Sequence, residues 1–150
     1  MQPNNQIKIS FKLKDIVIPR YSFNIPQGFK VPEPGYPFTF EINSGILFNE
    51  EKKLCIIVLH TKTFYEPEKE NLICELITQT VFEIDNFSEV MKKDGDTISA
   101  PDQIITTFIS ISISTTRGIY MMKNSENFLH KVLVPIINPN ELFRKTKTDI

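Results

Sequence analysis

Leu72–Ile84 reads LICELITQTVFEI, and the stretch before it, Leu54–Tyr65, reads LCIIVLHTKTFY. Both are long, rich in β-branched residues and free of Gly and Pro, which suits strands. Alternation puts Leu54, Ile56 and Val58 on one face of the first stretch and Cys55, Ile57 and Leu59 on the other. The second stretch splits into Leu72, Cys74, Leu76, Thr78, Thr80 and Phe82 against Ile73, Glu75, Ile77, Gln79, Val81 and Glu83. Glu66, Pro67 and Glu68 supply the turn of a hairpin. With that turn centred near Glu68, Cys74 faces Lys62 and Cys55 faces Val81, too far apart to form a disulfide. Free thiols in a chain without an export signal favour the cytoplasm.

Working outward, Phe38, Phe40 and Ile42 alternate with Thr39, Glu41 and Asn43, giving a strand to about Phe48, with a polar turn at Asn49 to Glu51. Together with the hairpin it forms an antiparallel meander. An earlier strand is predicted from Ile7, Ile9, Phe11 and Leu13, alternating with Lys8, Ser10, Lys12 and Lys14, with one face buried. It continues through Ile18 and ends at Pro19. Pro19 to Pro37 then holds five of the ten prolines together with Tyr21, Phe23, Phe29 and Tyr36. Proline prevents regular pairing there, so the stretch reads as a long loop, a feature that is often functional.

After Ile84 the pattern changes. Asn86 to Met91 fits a short helical turn, and Lys92 to Thr97 a loop with Asp94-Gly95. Pro101 to Thr116 carries two patterns at once. Ile109, Ile111 and Ile113 alternate with serines, as in a strand. Ile104, Phe108 and Ile111 follow a helical stripe, with Pro101 suited to its first turn and Gly118 to its C-terminal cap. Propensity favours the strand. Beyond it come an apolar run, Val132 to Ile137, and a final short helix from Asn138-Pro139 through Phe143.

Composition sets outer limits. A chain of 150 residues predicts one domain, and its net charge of -1 excludes a basic nucleic-acid footprint and an acidic tail. No apolar run approaches the roughly 20 residues that span a bilayer. One Ala (Ala100) against 22 Ile and 12 Phe marks a sheet-dominated domain with a heavy apolar load. There is no phosphate loop, no metal-ligand spacing and no nucleophile elbow. His60 and His130 are isolated. Glu75 and Glu83 lie about 26 Å apart at roughly 3.3 Å per residue, too far for an acid/base pair. No enzyme, cofactor or metal is therefore expected. The prolines and rings of residues 19–37 suggest either a cover for a sheet face or an adaptable apolar groove for extended peptides.

Ile73-Cys74-Glu75-Leu76 followed by Val81-Phe82-Glu83-Ile84 resembles the Cys-Glu and Ile-Phe strand motif of the SecB-type protein-export chaperones. Lys14-Asp15 resembles the Lys-Asp of that family's first strand, and Arg117-Gly118 the Arg-Gly that closes its long helix. Leu133, Pro135, Asn138, Leu142 and Phe143 resemble its closing pattern. The four blocks come in the family's order and cover roughly residues 7 to 145.

The resemblance implies an α+β fold, a four-stranded antiparallel sheet with a long crossover loop and C-terminal helices packed on one face. It makes Pro101 to Thr116 the long helix. It implies a homo-oligomer, a dimer or dimer of dimers, that binds unfolded polypeptide or preprotein clients without ATP. Tyr21, Phe23, Phe29, Tyr36 and Phe38 are then the client-contact candidates, with Phe64 and Tyr65 behind them. Asp15, Ile73 and Glu75 match the surface that docks the translocation motor. However, Pro19 stands at its second acidic position and the chain is nearly neutral, which argues against the motor as a partner. The linker between Gly118 and Pro135 is longer than the family's and carries Met121, Met122 and Phe128, placed to shield or extend a groove. The wider SecB-like group includes chaperones that guard antitoxins. The competing expectation is an assembly protein that binds one specific folded partner.

Overall fold

Alternation of apolar side chains becomes a four-stranded antiparallel sheet in the computed structural model, which describes residues 8–28, 30, 38–65 and 71–148. The strands are β1 (Phe11–Phe23), β2 (Phe38–Asn49), β3 (Leu54–Tyr65) and β4 (Leu72–Ile84), in the order β1-β4-β3-β2. The β1–β2 connection therefore runs from one edge of the sheet to the other. Phe29, Tyr36 and the rest of residues 31–37 lie outside the described residues, as do Ile7 and the turn at Glu66, Pro67 and Glu68.

The hairpin has the expected bounds, and its register differs from expectation by one residue. Cys74 faces Thr63 and Cys55 faces Phe82, so Lys62 pairs with Glu75 instead. The shift comes from a bulge: Phe64 still pairs with Leu72 as expected, and the register slips between Thr63 and Phe64. Both cysteines are buried and free.

Strand β1 departs further from expectation. It starts at Phe11, passes Pro19 and runs to Phe23. Pro19 is tolerated because β1 is an edge strand and because the pairing with β4 slips between Val17 and Arg20, so no ladder hydrogen bond is needed from its nitrogen. Tyr21 and Phe23 therefore belong to the sheet and not to the crossover loop, opposite Leu76 and Cys74. Nor is one face of β1 fully buried. Leu13 and Ile16 stay 49% and 40% exposed, because the long helix lies over β3 and β4.

A single turn of helix, α1 (Phe87–Val90), follows β4 as expected. Lys92 to Thr97, expected as a loop, contributes instead to a small hairpin, β5 (Lys92–Asp94) and β6 (Thr97–Ser99). Gly95 sits at φ 61 in its turn, a conformation that favours glycine.

The ambiguous Pro101–Thr116 segment is helical. Helix α2 (Asp102–Lys123) buries Ile105, Phe108, Ile109, Ser112, Ile113, Thr116 and Tyr120, a stripe of period 3.6. Packing of that stripe outweighs the weak helix propensity of Ile, Ser and Thr. The hydroxyls adapt by bonding back to the preceding turn: Thr106 to Asp102 O at 2.7 Å, Thr107 to Gln103 O at 2.9 Å and Ser112 to Phe108 O at 2.7 Å. The helix runs past Gly118, expected as its cap, and ends at Lys123 with Asn124 as the cap residue. Helix α3 (Pro139–Thr148) begins as predicted and is longer than predicted.

The core has two apolar lobes under the helices. In one, Phe82 stacks on Phe108 with centroids 4.1 Å apart and packs with Ile57, Ile84, Ile109 and Phe143. In the other, Ile73, Leu76, Tyr120, Leu129 and Val134 pack at the end where β1 stops and β2 starts. Buried hydroxyls also line this sheet–helix layer, among them Thr78 with Thr116 at 2.7 Å and Thr63 with Tyr120 at 2.8 Å.

Candidate functional site

The second lobe opens to the surface as a group of rings. Phe23, at the end of β1, and Phe38, at the start of β2, lie at the same end of the two opposite edge strands. Between them stands Phe128, the first residue of a 3-10 turn (Phe128–Lys131). Phe128 meets Phe23 edge-on with centroids 5.2 Å apart at 63° and stacks near Phe38 at 6.2 Å and 25°. Tyr65, opposite Phe38 in the β2–β3 register, adds an edge contact at 6.0 Å. A cleft of about 590 Å3 adjoins these rings, lined by Phe23, Ile25, Phe128 and the polar side of the turn. Ile25 is 54% exposed beside it.

The platform under the rings is polar and tightly bonded. Tyr21 turns its hydroxyl to Asn124 Oδ1 at 2.8 Å and Lys123 O at 3.0 Å. Asn124, fully buried, donates to Tyr120 O at 3.0 Å and accepts from Asn127 Nδ2 at 2.9 Å. Asn127 caps the 3-10 turn by accepting from Leu129 N at 2.9 Å. Burial, before all else, pushes the Cys74 thiol up to about 11 and raises the Tyr120 and Tyr21 hydroxyls above their usual range. These groups stay neutral and structural, and the arrangement offers shape and apolar surface for a side chain, without an acid/base pair.

Of the sequence-predicted client residues, the structure brings Phe23, Phe38 and Tyr65 together. Tyr21 lies beneath them as a tether. Phe64 stands between Thr63 and Tyr65 in β3, and alternation turns it to the opposite face. Phe29 and Tyr36 lie outside the described residues. Phe128, read from sequence only as a residue that shields or extends a groove, is the hub of the ring group. Its signal was an aromatic residue in a linker longer than the family's. Ile25 was not singled out at all.

Of the docking candidates, Ile73 packs into the second lobe, whereas Asp15 and Glu75 lie outside it. Asp15 is exposed and its Oδ1 accepts from Ile16 N at 2.8 Å. Ile73 is 1% exposed. The Glu75 side chain is 10% exposed and engaged by His60 Nε2 at 2.7 Å and Arg20 at 3.5 Å. At the far end of the helical face, a second cleft of about 820 Å3 lies between β2, β6 and the start of α2, floored by Ile46, Phe48, Ile98, Ile105 and Phe143. It contains none of the predicted residues. Among the described residues, no group of His, Cys, Asp or Glu is placed to hold a metal ion, and no helix is long and apolar enough to cross a membrane.

No family model matches the chain, and no curated protein matches it. Among solved structures it is similar to the SecB-like chaperone Rv1957 of Mycobacterium tuberculosis, solved in complex with a ChAD peptide from the HigA1 antitoxin Rv1956. The TM-score is 0.56 at 9% identity, over 85% of this chain and 89% of that one. A Streptococcus agalactiae protein of unknown function matches at a TM-score of 0.34 and 12% identity, over 86% of this chain and 99% of that one. The four-stranded antiparallel sheet with C-terminal helices is thus an α+β, SecB-like fold.

Proposed function

We propose that this chain is an ATP-independent holdase that binds unfolded or non-native polypeptides through the Phe23–Phe38–Phe128 surface, and that it is not an enzyme. The observation that carries the reading is the ring group itself. Three aromatic side chains from distant parts of the chain converge beside an open cleft at the rim of the core, on a bonded polar platform. Such a surface accepts many apolar side chains, because shape and burial demand less of a sequence than hydrogen-bond readout does. The fold shared with Rv1957 adds support, since that chaperone was solved with a bound antitoxin peptide. Phe29 and Tyr36 are proposed as further client contacts.

Affinity comes from apolar burial at about 25 cal/mol per Å2, offset by the ordering of the client. A homo-oligomer, a dimer or dimer of dimers, presents several such surfaces to one client and gains avidity. The setting is cytoplasmic, and the clients are preproteins or an antitoxin. The translocation motor is not proposed as a partner, because Ile73 is buried and Glu75 is already engaged on the face where it would dock.

The test is suppression of aggregation of a chemically denatured model protein without nucleotide. Suppression at near-stoichiometric amounts is expected. No effect at several-fold molar excess sinks the reading. Stoichiometric capture of one folded protein, with no affinity for unfolded chains, would establish an assembly protein instead.

A further inference from the structure

The two edges of the sheet are built differently. β1 carries Lys12, Lys14 and Pro19, and its pairing with β4 slips twice. Lysine, proline and register slips are devices that keep an edge strand from pairing with another chain. β2 has none of them. It pairs with β3 residue for residue from Phe38 to Asn49, and Glu41 is its one charged side chain. Among the described residues, no strand pairs with its other side.

The second cleft, of about 820 Å3, opens along this edge. Three successive residues of β2 line it, Ser44, Gly45 and Ile46. A side chain on Gly45 would point to Val58 Cβ, 3.8 Å away, and alternation sets Val58 on the face away from the helices. Gly45 therefore meets the cleft with its main chain. Thr97, Ile98 and Ser99, the whole of β6, form another wall, and β6 pairs with β5 on one side only among the described residues. Two strand edges thus border one cleft with an apolar floor. Lys92 and Asp102 also line it, with opposite charges.

We infer that this cleft is a strand-docking site for an extended segment of another polypeptide, uncharged and apolar at every second residue. The main chain of the segment bonds the free edge of β2 as a fifth strand, and its alternate side chains enter the apolar floor. A compact ligand would leave the main-chain groups of β2 to water, which is why a strand is the better occupant. The inference does not rest on the ring group, because different residues carry it. For a holdase it adds a second point of attachment on one client.

The probe is a fluorescein-labelled eight-residue peptide alternating Val with Thr, compared with a twin N-methylated at its four central residues, which removes donors from both edges. The wild type is expected to bind the plain peptide at least tenfold more tightly than the twin, and amide hydrogen exchange in residues 44–48 is expected to slow on binding. Thr97 and Ser99 are exposed, so Thr97→Lys and Ser99→Lys set a charge at the cleft outside the core. Each is expected to weaken binding at least fivefold. If either variant fails to fold, the exchange pattern of the wild type decides. No binding, equal binding of the two peptides, or unchanged exchange in residues 44–48 overturns the inference. Loss of binding in Phe23→Ser with full binding in the β6 variants places the peptide at the ring group and overturns it too. Protection of residues 44–48 that grows with protein concentration, without peptide, puts a second copy in the cleft and also overturns it. If the wild type fails to suppress aggregation while the peptide still protects residues 44–48, the holdase reading alone falls.

Discussion

The Tyr21 hydroxyl lies 2.8 Å from Asn124 Oδ1, joining the edge strand β1 to the end of α2 across 103 residues of sequence. This bond, with Asn124 itself fully buried, makes Tyr21 a tether for the platform under the ring group. Tyr21→Phe is expected to lower stability by about 1–2 kcal/mol, because Asn124 loses a partner in a buried network. Client affinity should hardly change at temperatures where the variant is folded. Chemical denaturation paired with peptide binding measures both. A large loss of affinity without loss of stability would make Tyr21 a contact residue.

Phe23 and Phe38 should behave in the opposite sense. Both are half-buried and packed against Phe128, and Phe23 lines the cleft. Phe23→Ser and Phe38→Ser are each expected to weaken client binding at least tenfold, about 1.4 kcal/mol or more. They should leave the far-UV circular dichroism of the sheet in place. Unfolding of both variants would show that the rings belong to the core.

Thr80 carries a buried hydroxyl with no hydrogen-bond partner among the described residues, whereas the Thr78 hydroxyl bonds Thr116 at 2.7 Å. Thr80→Val keeps the shape and removes the unsatisfied group, so stability should rise by about 1 kcal/mol. Thr78→Val strands the Thr116 hydroxyl and should lower stability by about 1–2 kcal/mol. Denaturant midpoints of the two variants, shifted in opposite directions, check the pair.

The buried thiols predict lability to alkali. Burial pushes Cys55 up to about 12 and Cys74 up to about 11, against an ordinary value of 9.0. Below pH 9 both folded and unfolded chains keep these protons, so the stabilisation is fully present. Above it the unfolded chain ionises first, and stability falls as pH rises towards 11 and 12. Melting temperature should therefore decline steeply above pH 9, less so in Cys55→Ala when each variant is referred to its own value at pH 7. Both thiols should resist alkylation in the native protein at pH 8 and react on unfolding.

Much of the sheet was legible because its information is local. Alternation in Leu54–Tyr65 and Leu72–Ile84 marks strand bounds residue by residue, and Phe38 to Phe48 is nearly as clear. The register of the hairpin was less so, since a bulge between Thr63 and Phe64 moves every cross-strand partner beyond it by one and leaves no local signature in the sequence. Within the site, Phe23 and Phe38 stood out as large rings in or beside the proline-rich stretch, and Tyr65 was a secondary candidate. Phe23 and Phe38 stand on opposite edges of one sheet and are joined by Phe128, which contacts both.

By itself the sequence determined the strand-forming stretches and the surplus of Ile and Phe that the fold must bury or display, while the α+β character came only from the resemblance. Tertiary structure decided what those stretches became where two local patterns competed. Pro101–Thr116 reads as strand by propensity, yet it becomes part of α2 because a helical stripe is what fits over β3 and β4. Pro19 reads as a strand end, yet β1 continues through it because an edge strand and a register shift ask no hydrogen bond of its nitrogen. Phe128 reads as a linker residue, and only packing sets it between Phe23 and Phe38, because contacts between residues a hundred positions apart leave no periodic trace in the chain.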